Sequence, residues 1–173
     1  MTAKGTRKTQ VELTRLRELS ARLGRDRMLV QASSGNASIK IDEVLWIKAS
    51  GKWLIQAETT DFLLPVQLAR ARDCLEARMT IPETETKSSG LVCASIETAI
   101  HAVLPQKVVV HVHSVNAIAW ALREDAPSQL SNRLCGFNWQ WIPYTRSGAD
   151  LARKVREILS TLKFPSNRCL RVR

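Results

Sequence analysis

Lys107-Val-Val-Val-His-Val-His113 is the stretch whose reading decides the fold. Its density of β-branched residues marks a strand, because branched side chains pack well on a pleated surface. Side chains of a strand alternate between its two faces, so His111 and His113 stand side by side at a separation that one metal ion can bridge. The valines at 108, 110 and 112 are expected on the opposite, buried face, which makes 108–112 a central strand of the sheet. On this pair alone two readings stand open: a metal site, or two histidines with ordinary partners.

Working outward, Ala94-Ser-Ile-Glu-Thr-Ala-Ile-His101 reads as the start of a short helix from Ser95 to Leu104, with Ser95 as N-cap and Pro105 ending it. Glu97 falls in the first turn, where the helix dipole favours an ionised carboxylate. Near a metal and a bound carbonyl compound such a group can act as a general base; alone it is a plain first-turn acid. His101 shares a helix face with Glu97 and reads as a structural histidine rather than a ligand. Downstream, Ser114 opens a helix from Val115 to Leu122, Asn138 to Tyr144 is an aromatic strand, and Ser147 caps a last helix to about Leu162, with Asp150 at capping-box spacing.

Nearer the start, Ile39 and Ile41 alternate with Lys40, and a turn at Asp42-Glu43 leads to Val44–Lys48, so the two segments form a hairpin. Two turns of small residues flank it, Ser33-Ser-Gly-Asn-Ala-Ser38 and Ala49-Ser-Gly51. Glycine lets the backbone approach a ligand, and hydroxyl, amide and N–H groups cradle a phosphate, although each turn alone is commonplace. A helix is expected from Val11 to Leu23, capped by Thr9 with Glu12 three residues on. Another is expected from Pro65 to Ala77, and 79–91 reads as a loop. The fold class that follows is α/β: a single domain with a central mixed or largely antiparallel sheet flanked by helices.

The 173 residues suit one domain with a sizeable core, and 45% hydrophobic with 24% charged residues fits a globular chain. Four scattered cysteines form no CxxC pair, which removes zinc-ribbon and thioredoxin readings and leaves reduced thiols. No apolar run nears the ~18 residues of a membrane span, and no apolar stretch follows the basic N-terminus, so no membrane partner is expected and the location is cytoplasmic by default. The net charge of +10 raises a nucleic-acid reading. Seven of those charges, Lys4, Arg7, Lys8, Lys163, Arg168, Arg171 and Arg173, lie in acid-free ends, and removing them leaves +3 for the body. With no basic helix interleaved with aromatics, specific nucleic-acid binding is not expected.

In this order, the turn Gly35-Asn-Ala-Ser38, the turn Ser50-Gly51, the helix start Ser95-Ile-Glu-Thr-Ala-Ile-His101 and the strand Val109-Val-His-Val-His-Ser114 resemble the class II aldolase/adducin family. The resemblance runs from about Leu13 to Leu162 and is greatest to rhamnulose-1-phosphate aldolase-like members. It divides the chain into a basic tail, 1–10, and a class II aldolase/adducin-like domain, 11–173, incomplete at its C-terminus. It implies that His111 and His113 bind Zn2+ or another divalent metal and that Glu97 is the catalytic acid/base, able also to ligate the metal. It further implies that Gly35, Asn36, Ser50, Gly51 and Ser95 bind the substrate phosphate. The implied reaction is aldol cleavage of a sugar phosphate, a ketose 1-phosphate such as rhamnulose 1-phosphate, to dihydroxyacetone phosphate and an aldehyde. A homo-oligomer, a tetramer, is implied as well. A dehydratase or decarboxylase on the same scaffold, or a non-catalytic adducin-like module, are the alternatives.

Three departures stand out. Ala94 replaces the family's usual proline, and Ile96 replaces a second serine of the phosphate-binding aldolases. The family's third metal histidine follows the last helix and another strand, whereas all three histidines here, at 101, 111 and 113, lie upstream of the basic end Lys163–Arg173. If Glu97 must both ligate and move protons, the metal is underbound, and weak metal binding with little or no activity is expected.

Overall fold

The computed structural model describes residues 3–76, 84–86, 90–161 and 171–172. Four strands form the main sheet: β1 (Asn36–Ile41), β2 (Val44–Lys48), β3 (Leu63–Gln67) and β6 (Val108–His111), in the order β3-β2-β1-β6. Every neighbouring pair is antiparallel. The α/β class and the hairpin at Asp42-Glu43 are therefore as expected from the sequence.

Strand β1 is sandwiched, and its alternation explains how. Ala37 and Ile39 face helix α1 (Ala3–Arg25) and join a core with Leu13, Leu16, Val30, Leu54 and Phe62. The opposite face of the sheet carries Leu45 and Ile47, which pack with Val66, Leu68, Ala71 and Ala102 under α2 (Leu68–Glu76) and α3 (Thr98–Val103). Asn36 and Ser38 share this second face, fully buried. Helix α6 (Ala149–Thr161) closes a third cluster, with Leu104, Ile142 and Val155 buried and Val109 packed against them.

Several boundaries differ from the sequence reading. Helix α1 starts at Ala3, so the region expected as a tail is helical from there and Thr9 lies in the helix interior. The basic positions 4, 7 and 8 and the residues behind them form one continuous helical segment, with no acid in the first turn. The segment from Leu63 to Gln67, expected to begin a helix at Pro65, is strand β3. Pro65 is tolerated because β3 pairs on one side only, with β2, and an edge position spares the missing N–H. Within the expected loop 79–91, β4 (Thr84–Thr86) pairs with β5 (Gly90–Val92). Helix α5 (Ala126–Arg133) follows α4 (Val115–Ala121) and was not anticipated. The aromatic strand is reduced to β7 (Trp139–Gln140), which pairs in parallel with β8 (Arg171–Val172). Asp150, expected to complete a capping box, pairs instead with Arg146 and Arg153.

The largest correction concerns the histidine strand. Among the described residues β6 is an edge strand, paired with β1 alone. Val108 and Val110 are 42% and 37% exposed rather than buried, because the helical cover on their face lies over β1 and the 3-10 turn Leu54–Gln56. Only Val112 of the three valines packs against the α1 core.

Candidate active site

The site grows out of two turns and one short helix. Gly35 adopts φ +76°, and a Cβ there would lie 2.8 Å from Leu54 Cδ1 and 2.9 Å from the His111 carbonyl oxygen. Only glycine lets β1 begin this close to β6. Asn36 follows, opposite His111 in the ladder, so both stand on the face that looks toward α3.

Helix α3 begins later than the sequence implies. Ser95 to Glu97 form a turn, in which the Ser95 carbonyl accepts from the Thr98 N–H at 2.9 Å and from the Thr98 hydroxyl at 2.6 Å. Glu97, not Ser95, holds the N-cap position. The Ser95 hydroxyl accepts the Glu97 N–H at 3.3 Å. This places the carboxylate at the open end of the helix over β1 and β6. Asn36 Nδ2 donates to Glu97 Oε2 at 3.0 Å, and Glu97 Oε1 lies 2.5 Å from His111 Nδ1. His113 stacks beside His111, ring centroids 4.8 Å apart and tilted by 55°.

The electrostatics follow from these contacts. Burial pushes the Glu97 carboxyl up, but the contacts with His111 and Asn36 outweigh it and hold it below the ordinary carboxylate value. Burial, and then the neighbouring His111, lower the His113 imidazole against the pull of Glu97. His101 is turned away from this cluster: its Nδ1 meets the Ser38 hydroxyl at 2.7 Å, and burial pushes the ring down to about 3, so it is neutral at pH 7.

The sequence reading missed Lys48. It is 4% exposed, and its ammonium donates to the Ser33 carbonyl at 3.2 Å and the Lys52 carbonyl at 2.7 Å, tying the two small-residue turns together. Burial lowers its pKa, opposed by the attraction of Glu97. A lysine ending a strand gives no sequence signal of burial, since only the folded turns supply its carbonyl partners. The second turn is linked to the segment leading into α3 by the Ser50 N–H, which donates to the Cys93 carbonyl at 3.0 Å, and by the bridge between Ala49 and Ala94. Gly51 takes φ +74° with open space where a Cβ would be. The expected site residues thus divide into two groups. Asn36, Ser95, Glu97, His111 and His113 form one connected cluster beside Gly35, while Ser50 and Gly51 sit in the neighbouring turn that Lys48 joins to the first. Ile96, in place of a serine, is 69% exposed and has no hydrogen-bonding side chain.

Two imidazoles and a carboxylate are the donor types of a divalent-metal centre. The buried His111 Nδ1 makes no hydrogen bond of regular geometry, although Glu97 Oε1 lies 2.5 Å away. Yet among the described residues no group of three His, Cys, Asp or Glu side chains is spaced to hold an ion. The donors fit a divalent ion in kind, with Glu97 drawn onto His111.

An α/β domain that gathers a glycine turn, a histidine strand and a helix-start glutamate into one cluster defines a class, and the chain belongs to it. It is a member of the class II aldolase and adducin N-terminal domain family, whose profile matches residues 14–170. It is 30% identical over 152 residues to the uncharacterized oxidoreductase YuxG of Bacillus subtilis, a match covering 78% of this chain and 22% of that protein. The chain therefore spans less than a quarter of that relative. Among solved structures it resembles the N-terminal class II aldolase domain of a conserved protein from Thermoplasma acidophilum, with TM-score 0.69, 23% identity, and coverage of 91% of this chain and 78% of that one. It also resembles L-fuculose-1-phosphate aldolase from Thermus thermophilus, with TM-score 0.55, 22% identity, and coverage of 86% and 71%. These likenesses establish the fold. Among the described residues no helix is long and apolar enough to cross a membrane.

Proposed function

We propose that this domain carries out metal-assisted aldol cleavage of a sugar phosphate, a ketose 1-phosphate such as rhamnulose 1-phosphate. Support comes from one observation above the others: Glu97 accepts from Asn36 at 3.0 Å and lies 2.5 Å from His111, with the His113 ring 4.8 Å from that of His111. His111 and His113 would hold a divalent ion, Zn2+ by preference, and such an ion supplies polarisation of a ketone carbonyl. Glu97 is the acid–base group. Ionised at neutral pH, it accepts a proton from a substrate hydroxyl and returns one to the carbon released when the carbon–carbon bond breaks. Asn36 orients the carboxylate through its Oε2. Gly35, Ser50, Gly51 and Ser95 offer backbone and hydroxyl groups to the phosphate, and Lys48, between the turns, adds a positive charge. Because the Glu97 carboxylate closes on His111, metal binding and proton transfer compete for it, so turnover is slow and requires excess ion.

The test is release of dihydroxyacetone phosphate from rhamnulose 1-phosphate as Zn2+ is raised to saturation. A rate that saturates with Zn2+ and falls ~10²–10⁴-fold in Glu97→Gln supports the reading. Metal binding without phosphate-dependent cleavage moves the assignment to a dehydratase or decarboxylase. The second reading, a non-catalytic module, is favoured by the same Glu97–His111 closure and wins if neither ion binding nor turnover is found.

A further inference from the structure

We propose that Ser38 and His101 are positioning residues for Glu97, forming with Asn36 a two-rung polar ladder that seats the carboxylate against His111. The first rung is Asn36 to Glu97 at 3.0 Å and the second is Ser38 to His101 at 2.7 Å. On β1 the two polar residues are i and i+2, a spacing of about 6.8 Å along a strand. On the helix side Glu97 and His101 are i and i+4, about 6 Å along the axis. The two repeats match, so both rungs close together. A one-residue slip of β1 presents Ala37 and Ile39 instead, which offer nothing to either partner.

The need for such a device lies in α3 itself. It has six residues, Thr98–Val103, far below the roughly 12–15 at which an isolated helix holds its own shape. Its position must come from tertiary contacts. Apolar packing of Ala102 against the sheet and of Ile100 and Val103 against α6 holds it in place, but such packing is non-directional and does not by itself aim the Glu97 carboxylate. The Ser38–His101 contact is directional, fully buried at both ends, and sits one helical turn beyond the carboxylate. A buried hydroxyl–imidazole pair adds little net stability over apolar groups of the same shape. Its contribution is the register of Glu97. This inference rests on Glu97 being the acid–base group, but its test reads the place of the carboxylate and not turnover, so the two can fail separately.

The experiment follows the Asn36 side-chain amide by ¹⁵N-correlated NMR, alongside thermal unfolding. In the wild type one Asn36 amide proton, donated to Glu97, should lie downfield and exchange slowly. In the double variant Ser38→Ala with His101→Leu, the thermal midpoint should stay within a few degrees, while the Asn36 signal moves and its exchange accelerates at least ~10-fold. His101→Asn carries its amide at the carbon where Nδ1 branches, so it can still meet Ser38 and should keep the wild-type Asn36 signal. Three results overturn the proposal: a wild-type amide that exchanges as fast as a solvent-exposed one, a folded double variant whose Asn36 signal is unchanged, or a double variant that fails to fold. The last would assign the pair to core stability.

Discussion

Glu97 is flanked by one group that can leave it and one that cannot. On the proposed metal reading His111 would turn to the ion, whereas Asn36 is locked, its Nδ2 on Glu97 and its Oδ1 accepting the Ala37 N–H at 2.9 Å. Removing the amide donor should therefore free the carboxylate more than removing the imidazole does. Asn36→Ala leaves a half-buried carboxylate oxygen without its partner and should cost about 1 kcal/mol of stability by chemical denaturation. His111→Ala should cost less in stability but abolish divalent-ion binding, measured by calorimetry with Zn2+, since His113 alone is a single ligand. An unchanged Zn2+ affinity in His111→Ala would remove the histidine pair from the proposed metal site. At this scale the sequence says which side chains share a face and little about which of them touch. The spacing of His111, His113 and Glu97 was legible, because periodicity reports which side chains share a face. The pairing of Asn36 with Glu97 joins positions sixty-one residues apart and was not legible, because no local pattern encodes it.

Elements bring those residues together, and the closest approach is at glycine. Gly35 allows β1 to start against the carbonyl of His111, and the sequence marked the turn correctly because small residues before a strand signal a tight approach. Gly35→Ala must carry a Cβ at φ +76° and push both Leu54 Cδ1 and the His111 carbonyl. Left-handed strain and overpacking together should destabilise by about 2–4 kcal/mol in urea unfolding. Gly51→Ala is the matched control: its φ is +74° but its surroundings are open, so only the strain of roughly 1 kcal/mol should appear. Equal losses at both positions would show that the crowding at Gly35 relaxes freely. The elements that were misread share a cause. Pro65 looks like a helix start in isolation and becomes an edge-strand residue only once β2 is beside it. Val108 and Val110 look like core in isolation and are exposed because the helix that covers their face lies over β1. Burial of a strand face depends on which neighbour covers it, and alternation alone does not say whether one does.

For the molecule as a whole, charge and pH act through different residues. The net charge of +10 should attract duplex DNA weakly at low salt, with binding lost by about 0.2 M NaCl, because cations concentrated in the two ends of the sequence attract phosphates without reading bases. Sequence-selective binding at that salt, read by fluorescence anisotropy, would contradict this.

Acid stability is the sharper test, and the buried His101 contributes to it together with His113, whose imidazole is also lowered. His101 titrates at 6.5 when unfolded and at about 3 when folded, because burial disfavours the charged ring. Below pH 6.5 the unfolded chain takes up a proton that the native chain refuses, so the unfolded state binds more protons and stability falls as pH falls. The loss accumulates through the window from 6.5 downward, and it is absent above 6.5, where the ring is neutral in both states. Glu97 adds to it at the acid end: its folded pKa is depressed, so its contribution is present above the unfolded carboxylate value and disappears as pH falls through the folded one. Urea midpoints measured from about pH 8 to about pH 4 should therefore be flat down to about 6.5 and then decline. His101→Asn, which has no titrating ring, should make the decline between about 6.5 and about 5 shallower, leaving the part due to His113, before the carboxylates begin to titrate. A wild-type profile with no break near 6.5 would mean that His101 can charge in place, and with it that Ser38 and its surroundings admit water to the second rung beneath Glu97.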